Sequence, residues 1–289
     1  MRQLFCFGFG YCARAIAGRL SNAGFAITGT ATNATGIAAM QALGYRGLVF
    51  DGQTASQAVS QALQSATHVL LSIPPGPDGD RAFLLHAAAL AHSRALRWIG
   101  YLSTVGVYGD AAGGWVDETT PAQPASERGR RRLAAERQWL DFGREHDFCV
   151  NVFRLPGIYG PGRSALDDVR AGAARRIVKP GQVFNRVHVA DIATAVVAAI
   201  EKAQPDRVWN VTDDAPGPPQ DVVAYAAELL GRPVPPAVDF DSADMTPMAR
   251  SFYGESKRVS NSRIKADLGI TLAYPDYRAG LQAILRDAG

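Results

Sequence analysis

The stretch Leu4-Phe5-Cys6-Phe7-Gly8-Phe9-Gly10-Tyr11-Cys12-Ala13, running on into Ile16, Ala17 and Leu20, decides the fold. Four apolar residues in a row predict a buried strand, and the spacing of the later three predicts a helix with one apolar face. The glycines between them predict a turn of a particular kind. In a nucleotide-binding βαβ unit the first glycine permits the tight turn, and the second lets main chain approach a pyrophosphate seated at the helix N-terminus. The third position must be small so that the helix can lie against the strand. Gly8, Gly10 and Ala13 hold those places, with Phe9 and Tyr11 between them. A glycine turn that merely joins strand to helix has the same letters, so the rest of the chain has to discriminate.

Working outward, strands and helices alternate. Residues 25–28 follow Gly24, a good helix end; 48–50 stop at Asp51, and 68–73 stop at Pro74-Pro75. Residues 98–102, 148–153 and 208–211 read as further strands. Helical spacing fills the gaps, around Val59, Ala62 and Leu63 and through the Ala-rich run 81–94. Such alternation predicts an α/β fold, a Rossmann-type doubly wound parallel sheet with right-handed crossovers. Ligands on such a sheet bind beyond the carboxyl ends of the strands, which selects Gly8, Gly10, Thr30, Asp51, Ser72, Thr104 and Arg154 together.

With 289 residues, 47% hydrophobic and 20% charged, the chain can bury a large core and exceeds one average domain. Its 30 basic and 27 acidic residues leave a net charge of +3, which gives no reason for a nucleic-acid or membrane partner. No apolar run approaches membrane-spanning length, and the N-terminal one is too short for a signal peptide. Cys6, Cys12 and Cys149 form no CxxC pair and lie in or beside apolar runs, which predicts buried thiols in a reducing cytoplasm and no metal site. Beyond residue 160, Pro161-Gly162, Pro180-Gly181 and the proline clusters at 216–219 and 233–236 punctuate shorter elements. The expected organisation is a nucleotide-binding domain of residues 1–160 and 187–213, with a smaller C-terminal substrate lobe of 161–186 and 214–289. The first insertion carries Arg163, Arg170, Arg175, Arg176, Lys179 and Arg186 against Asp167 and Asp168. That excess is either a grip for an anionic substrate, such as a nucleotide-sugar pyrophosphate, or a solvated helix face.

Three later stretches carry a family likeness. Tyr101-Leu-Ser-Thr-Val-Gly-Val-Tyr-Gly-Asp110, Phe153-Arg-Leu-Pro-Gly-Ile-Tyr-Gly-Pro-Gly162 and Arg186-Val-His-Val-Ala-Asp191 resemble, in order and spacing, the landmarks of the extended short-chain dehydrogenase/reductases, the NAD-dependent epimerase/dehydratase group. The resemblance covers nearly the whole chain and, with the tail from Leu268 to Leu281, points to an atypical subgroup. It implies a domain for NAD or NADP and a small lobe closing over a small-molecule substrate. It also implies hydride transfer ending as oxidation, epimerisation or dehydration, in a monomer or homodimer.

The family's chemistry uses a Ser or Thr hydroxyl, a Tyr phenol that exchanges its proton, and a Lys four residues later that depresses the phenol pKa and bonds the ribose. By resemblance Thr104, four before Tyr108, takes the hydroxyl place. Counting back from Ala134-Ala-Glu136 puts Arg128 at the Tyr position and Arg132 at the Lys position. Arg132 retains positive charge and ribose hydrogen bonds, but a guanidinium with a pKa above ~12 is no general acid or base near neutrality. Two readings follow. Either the protein is an enzyme whose proton donor is Tyr108, Tyr159, Tyr253 or His188, or it is a catalytically silent redox sensor or scaffold that keeps the cofactor. Tyr159, Arg163, Arg186 and His188 are the residues expected to face substrate.

Cofactor preference stays open between NAD and NADP. An acid that holds the ribose, or an Arg that accommodates the extra phosphate, belongs at the end of the second strand; Thr28-Gly-Thr-Ala-Thr-Asn33 has neither. Arg14, one turn into the first helix, is a phosphate candidate or a surface cation. Asp51 is placed by resemblance against the adenine amino group, and its alternative is the N-cap of a helix beginning near Thr54. In Ser72-Ile-Pro-Pro-Gly76 the prolines remove backbone donors, so Ser72 and carbonyls such as that of Pro74 are expected to meet the cofactor. Ser103, Pro156 and Ile158 complete the expected cofactor contacts by resemblance.

Overall fold

The opening apolar run forms a strand whose residues Leu4, Phe5, Cys6 and Phe7 are all buried. The computed structural model describes residues 2–287. Along the chain the strands are β1 (Gln3–Phe7), β2 (Ala26–Ala31), β3 (Arg46–Val49), β4 (His68–Leu71), β5 (Trp98–Thr104), β6 (Trp115–Val116), β7 (Cys149–Leu155), β8 (Gly157–Tyr159), β9 (Arg176–Val178), β10 (Arg186–His188), β11 (Arg207–Asn210), β12 (Ala237–Asp239) and β13 (Arg258–Val259). They belong to two compact units. One comprises residues up to 104 with 126–154 and 192–209; the other comprises 105–125, 155–191 and the chain from 210 onward.

The first unit is built on a seven-stranded sheet of order β11-β7-β5-β4-β1-β2-β3, in which the ladders β1–β2, β1–β4, β2–β3 and β4–β5 are parallel. Helix α1 (Tyr11–Asn22) buries Cys12, Ala13, Ile16, Ala17 and Leu20, the face its sequence spacing marks out. The chain leaves that helix through Gly24 at φ +82°, a left-handed conformation suited to glycine. Phe5, Phe7, Val69, Leu71, Ile99 and Trp139 share one core cluster, to which the helices Arg81–Ala91 and Glu127–His146 contribute.

The second unit is assembled from three short parallel ladders, β8–β10, β9–β12 and β6–β13. Its helices Pro219–Leu229 and Tyr277–Asp287 pack Ala226, Ala227, Tyr277, Leu281 and Ile284 around Tyr159, Leu166 and Val169. These pairings explain where the units part from the boundaries expected from sequence. Residues 105–125 go with the second unit because β6 pairs with β13, and 155–160 and 187–191 go with it because β8 pairs with β10.

All three cysteines are free; Cys6 and Cys12 are buried and Cys149 is half-buried, with burial pushing the Cys149 thiol up to about 11. Among the described residues there is no cluster of metal-ligating side chains, and no helix is long and apolar enough to cross a membrane.

At the start of β4, His68 is buried between Phe25 and Trp98, with ring centroids 5.0 and 6.1 Å away. Thr67 Oγ1 lies 2.8 Å from its Nδ1. Burial, and then the charge of Arg2, lower its pKa from 6.5 to about 4. The unfolded chain therefore binds more protons than the folded one between those values, and stability falls as pH drops through that window. Denaturant unfolding at pH 7 and pH 5 should show this loss, and His68→Phe should reduce it; an unchanged loss in the variant would contradict the assignment.

Candidate functional site

The turn after β1 is shaped by what cannot fit there. Gly8 has φ +81°, and a Cβ at this position would stand 2.6 Å from Ile73 Cγ2, so only glycine is accommodated. Gly8 N–H donates to Thr30 Oγ1 at 2.8 Å and Phe9 N–H donates to the Thr30 carbonyl at 3.0 Å. The Phe9 ring packs over Gly29 and meets Tyr45 edge-on at 5.6 Å. Gly10 is the N-cap of α1; no side chain caps this helix, and a Cβ on Gly10 would find nothing within 4 Å. Tyr11, half-buried, opens the helix, and Ala13 is fully buried against the sheet. The turn is thus fastened from behind, with open space at the positive end of the helix dipole, an arrangement suited to an anion. These residues fit the diphosphate of a dinucleotide.

Other cofactor candidates divide. Thr30 is buried with its hydroxyl bound to Gly8 N–H, so it braces the turn instead of meeting a ribose. Ser103 is likewise corrected: it is buried and its Oγ donates to Glu136 Oε1 at 2.5 Å. Asp51 is exposed beyond β3, and its Oδ1 accepts Gln53 N–H at 2.9 Å. The helix-cap alternative for Asp51 is overturned, since the next helix starts at Gln57 and is capped by Ser56. Ser72 is half-buried beside Gly8, and Pro74 and Arg14 are exposed. Pro156 and Ile158 fall in the second unit, Ile158 lining its pocket.

The residues expected from sequence to serve catalysis divide in the same way. Thr104 ends β5, half-buried. Arg128 is exposed in the first turn of the helix Glu127–His146. Arg132, a turn further on, donates from Nη1 to the Leu102 carbonyl and lies over the Tyr101 ring, 5.8 Å from its centre. Glu136 follows after another turn and accepts from Arg154 Nη2 at 2.7 Å and from its Nε at 3.2 Å, an ion pair 2% and 9% exposed. Each alternative proton donor is absorbed into packing. Tyr108 donates to Asn210 Oδ1 at 2.8 Å; Tyr159 donates to the Asp276 carbonyl at 3.2 Å; Tyr253 packs with Phe184 and Phe240. His188 accepts Ala190 N–H on Nδ1, sits between Tyr159 and Tyr274, and is held by burial at a pKa of about 4.

The second unit contains a cavity of about 460 Å³ whose lining includes Tyr159, Arg163, Asn185, Arg186, Tyr277 and Leu281. Arg186 is 9% exposed; Nη1 donates to the carbonyls of Phe184 and Gly217 at 3.2 and 3.3 Å. Of the four residues expected to face substrate, the structure brings Tyr159, Arg163 and Arg186 to this cavity and places His188 outside its lining. The other basic residues of the insertion are dispersed: Arg175 reaches the Asp244 carbonyl and Lys179 the Tyr253 carbonyl. Two features escape sequence reasoning. The Glu136–Arg154 pair is signalled only by a Glu four residues after Arg132, and buried Asp213 only by its place just after β11.

The sequence model of the NAD dependent epimerase/dehydratase family matches residues 82–212. Protein YeeZ of Escherichia coli (strain K12) is 30% identical over 292 residues, covering 96% of this chain and 97% of that protein. A functionally unknown conserved protein from Silicibacter pomeroyi DSS is 49% identical, with a TM-score of 0.92 and 99% of each chain covered. UDP-glucuronic acid 4-epimerase from Bacillus cereus in complex with NAD shares the fold at a TM-score of 0.77 and 18% identity, over 99% of this chain and 97% of that one.

The buried Glu136–Arg154 pair makes a stability prediction. Removing one partner of a buried ion pair costs about 3–5 kcal/mol, whereas replacing both by apolar side chains costs much less. Glu136→Ala should therefore lower unfolding stability by that amount in urea melts, and Glu136→Leu with Arg154→Met should lower it less; equal losses would refute the pairing.

Proposed function

This chain belongs to the NAD dependent epimerase/dehydratase family, and we propose that it binds NAD or NADP at the Gly8–Gly10 turn of its first unit and an anionic small molecule of the nucleotide-sugar class in the Arg186 pocket of its second. The observation that carries the reading is the turn itself. Its glycine conformation, its bracing by Thr30 and the start of α1 without a side-chain cap suit a diphosphate. For the substrate, Arg163 and Arg186 both line one cavity, and guanidinium groups suit phosphate oxygens. A nucleotide-sugar epimerase of the same fold is consistent with that chemistry.

When bound, the nicotinamide ring supplies a hydride acceptor or donor. Thr104, at the carboxyl end of β5, is the hydroxyl that would orient a substrate oxygen. Arg132, held to the Leu102 carbonyl, contributes fixed positive charge and hydrogen-bond donors, and neither it nor Arg128 moves a proton near neutral pH. A second reading, cofactor binding without hydride chemistry, is favoured by one observation: the Tyr108 hydroxyl is committed to Asn210 and buried.

Thermal melts with NAD, NADH, NADP and NADPH test the binding claim. A ligand at 100 times its Kd adds about 2.7 kcal/mol of stability, which a melt resolves readily. Gly10→Asp sharpens the test, because Gly10 has extended φ of −84° and open space around it. An Asp there should cap α1, stabilising the free protein by roughly 0.3–1 kcal/mol, while its carboxylate repels the diphosphate. The variant should thus melt higher alone and show no shift with dinucleotide. No shift of the unaltered protein with any of the four would overturn the proposal. Absorbance changes of NADPH or NADH with a nucleotide-sugar and aldehyde panel then separate the readings: turnover supports the enzyme, and binding without turnover supports the second.

A further inference from the structure

One buried carboxylate of the second unit is only half satisfied. Asp213 is 2% exposed; its Oδ1 accepts Ala215 N–H at 3.2 Å, while its Oδ2 is buried with no hydrogen-bond partner among the described residues. Its own N–H donates to the Arg186 carbonyl at 2.7 Å, which ties the two residues' backbones together. The Arg186 guanidinium is held by two carbonyls and stands over the Tyr277 ring at 5.8 Å, with no carboxylate paired to it among the described residues, and the residue lines the cavity.

We propose that Asp213 is a proton-linked counter-charge for Arg186, so that the pocket holds an anion more tightly when Asp213 is protonated than when it is ionised. The inference rests on the reading of this pocket as an anion site. Burial raises the Asp213 carboxyl to about 7, against the opposing pull of the Ala215 N–H and of Arg186. A buried carboxylate whose charge acts on the guanidinium offsets the field that attracts an anion, and neutralising it removes that offset. Reciprocity then requires that an arriving anion raise the proton affinity of Asp213, so binding takes up a proton.

The groups facing Asp213 and Arg186 come from several segments. Asp214 and Asp276 oppose ionisation of Asp213, the charges of Asp213 and Asp221 act on Arg186, and the Tyr277 ring lies under its guanidinium. Asp214 is engaged by Lys265 at 2.5 Å and by Asn261 at 2.7 Å, and Asp276 caps Ala279 N–H at 2.8 Å. Tyr159 is shifted upward by burial and His188 downward to about 4, so neither changes charge near neutrality.

Calorimetric titration of the full chain with UDP-glucose tests this, because that pyrophosphate diester keeps one charge state across the range used. Titrations at pH 6 and pH 8 in two buffers of different ionisation heat read affinity and proton uptake together. Coupling of ordinary size predicts binding about tenfold tighter at pH 6, with net proton uptake near neutrality. Asp213→Asn, which keeps an acceptor for Ala215 N–H, should bind equally at both pH values, near the tighter limit. Proton uptake by the unaltered protein reads the same linkage should that variant fail to fold. Equal affinity at both pH values with no proton uptake, or a pH dependence that persists in Asp213→Asn, overturns the linkage and leaves the anion site standing. No binding at either pH overturns both.

Discussion

The hydroxyl of Thr30 is the contact on which the first unit's chemistry depends. It accepts the N–H of Gly8 at 2.8 Å and lies 3.5 Å from the carbonyl of Cys6, while the Thr30 carbonyl takes the N–H of Phe9. One residue of β2 thereby fixes three consecutive peptide groups leaving β1. Because β1 is flanked by β2 on one side and β4 on the other, the turn hangs from the middle of the sheet. Ile73, following β4, closes against Gly8 from the other side. A loop held this way has little freedom left to lose, so an anion arriving at the start of α1 meets a preorganised partner.

The proposed function separates binding from proton transfer. The glycine turn, the buried Ala13 and the parallel order of the sheet all survive. On the proposed alignment, Arg128 and Arg132 stand where the family's Tyr and Lys would be, and a guanidinium supplies positive charge and hydrogen-bond donors. Beneath them Glu136 joins Ser103 to Arg154 and ties the helix Glu127–His146 to β5 and β7. Such a pair fixes geometry at the strand ends more surely than it adds stability.

Much of this was legible in the sequence for a simple reason. Strand and helix periodicity are local, and so are the glycine positions that define the turn; Leu4–Phe7, Gly8, Gly10 and Ile16 declare themselves within a few residues. What was not legible depends on partners far along the chain. Whether a hydroxyl at a strand end faces a ligand or the interior is undetermined by its letter, so Thr30 and Ser103 read as cofactor contacts until Gly8 and Glu136 are seen to occupy them. Tyr108 meets Asn210 across 102 residues of sequence, a pairing no motif announces. The grouping of residues 105–125 with the second unit follows from β6 joining β13, equally remote in the chain.

The central claim is that main-chain amides at the start of α1 receive a diphosphate. Amide chemical-shift mapping by NMR during a dinucleotide titration addresses those atoms individually. The account predicts that the resonances of Gly10, Tyr11 and Cys12 shift most and saturate together with the binding isotherm. Saturable binding that leaves those three amides unmoved, with the largest shifts elsewhere, would contradict it.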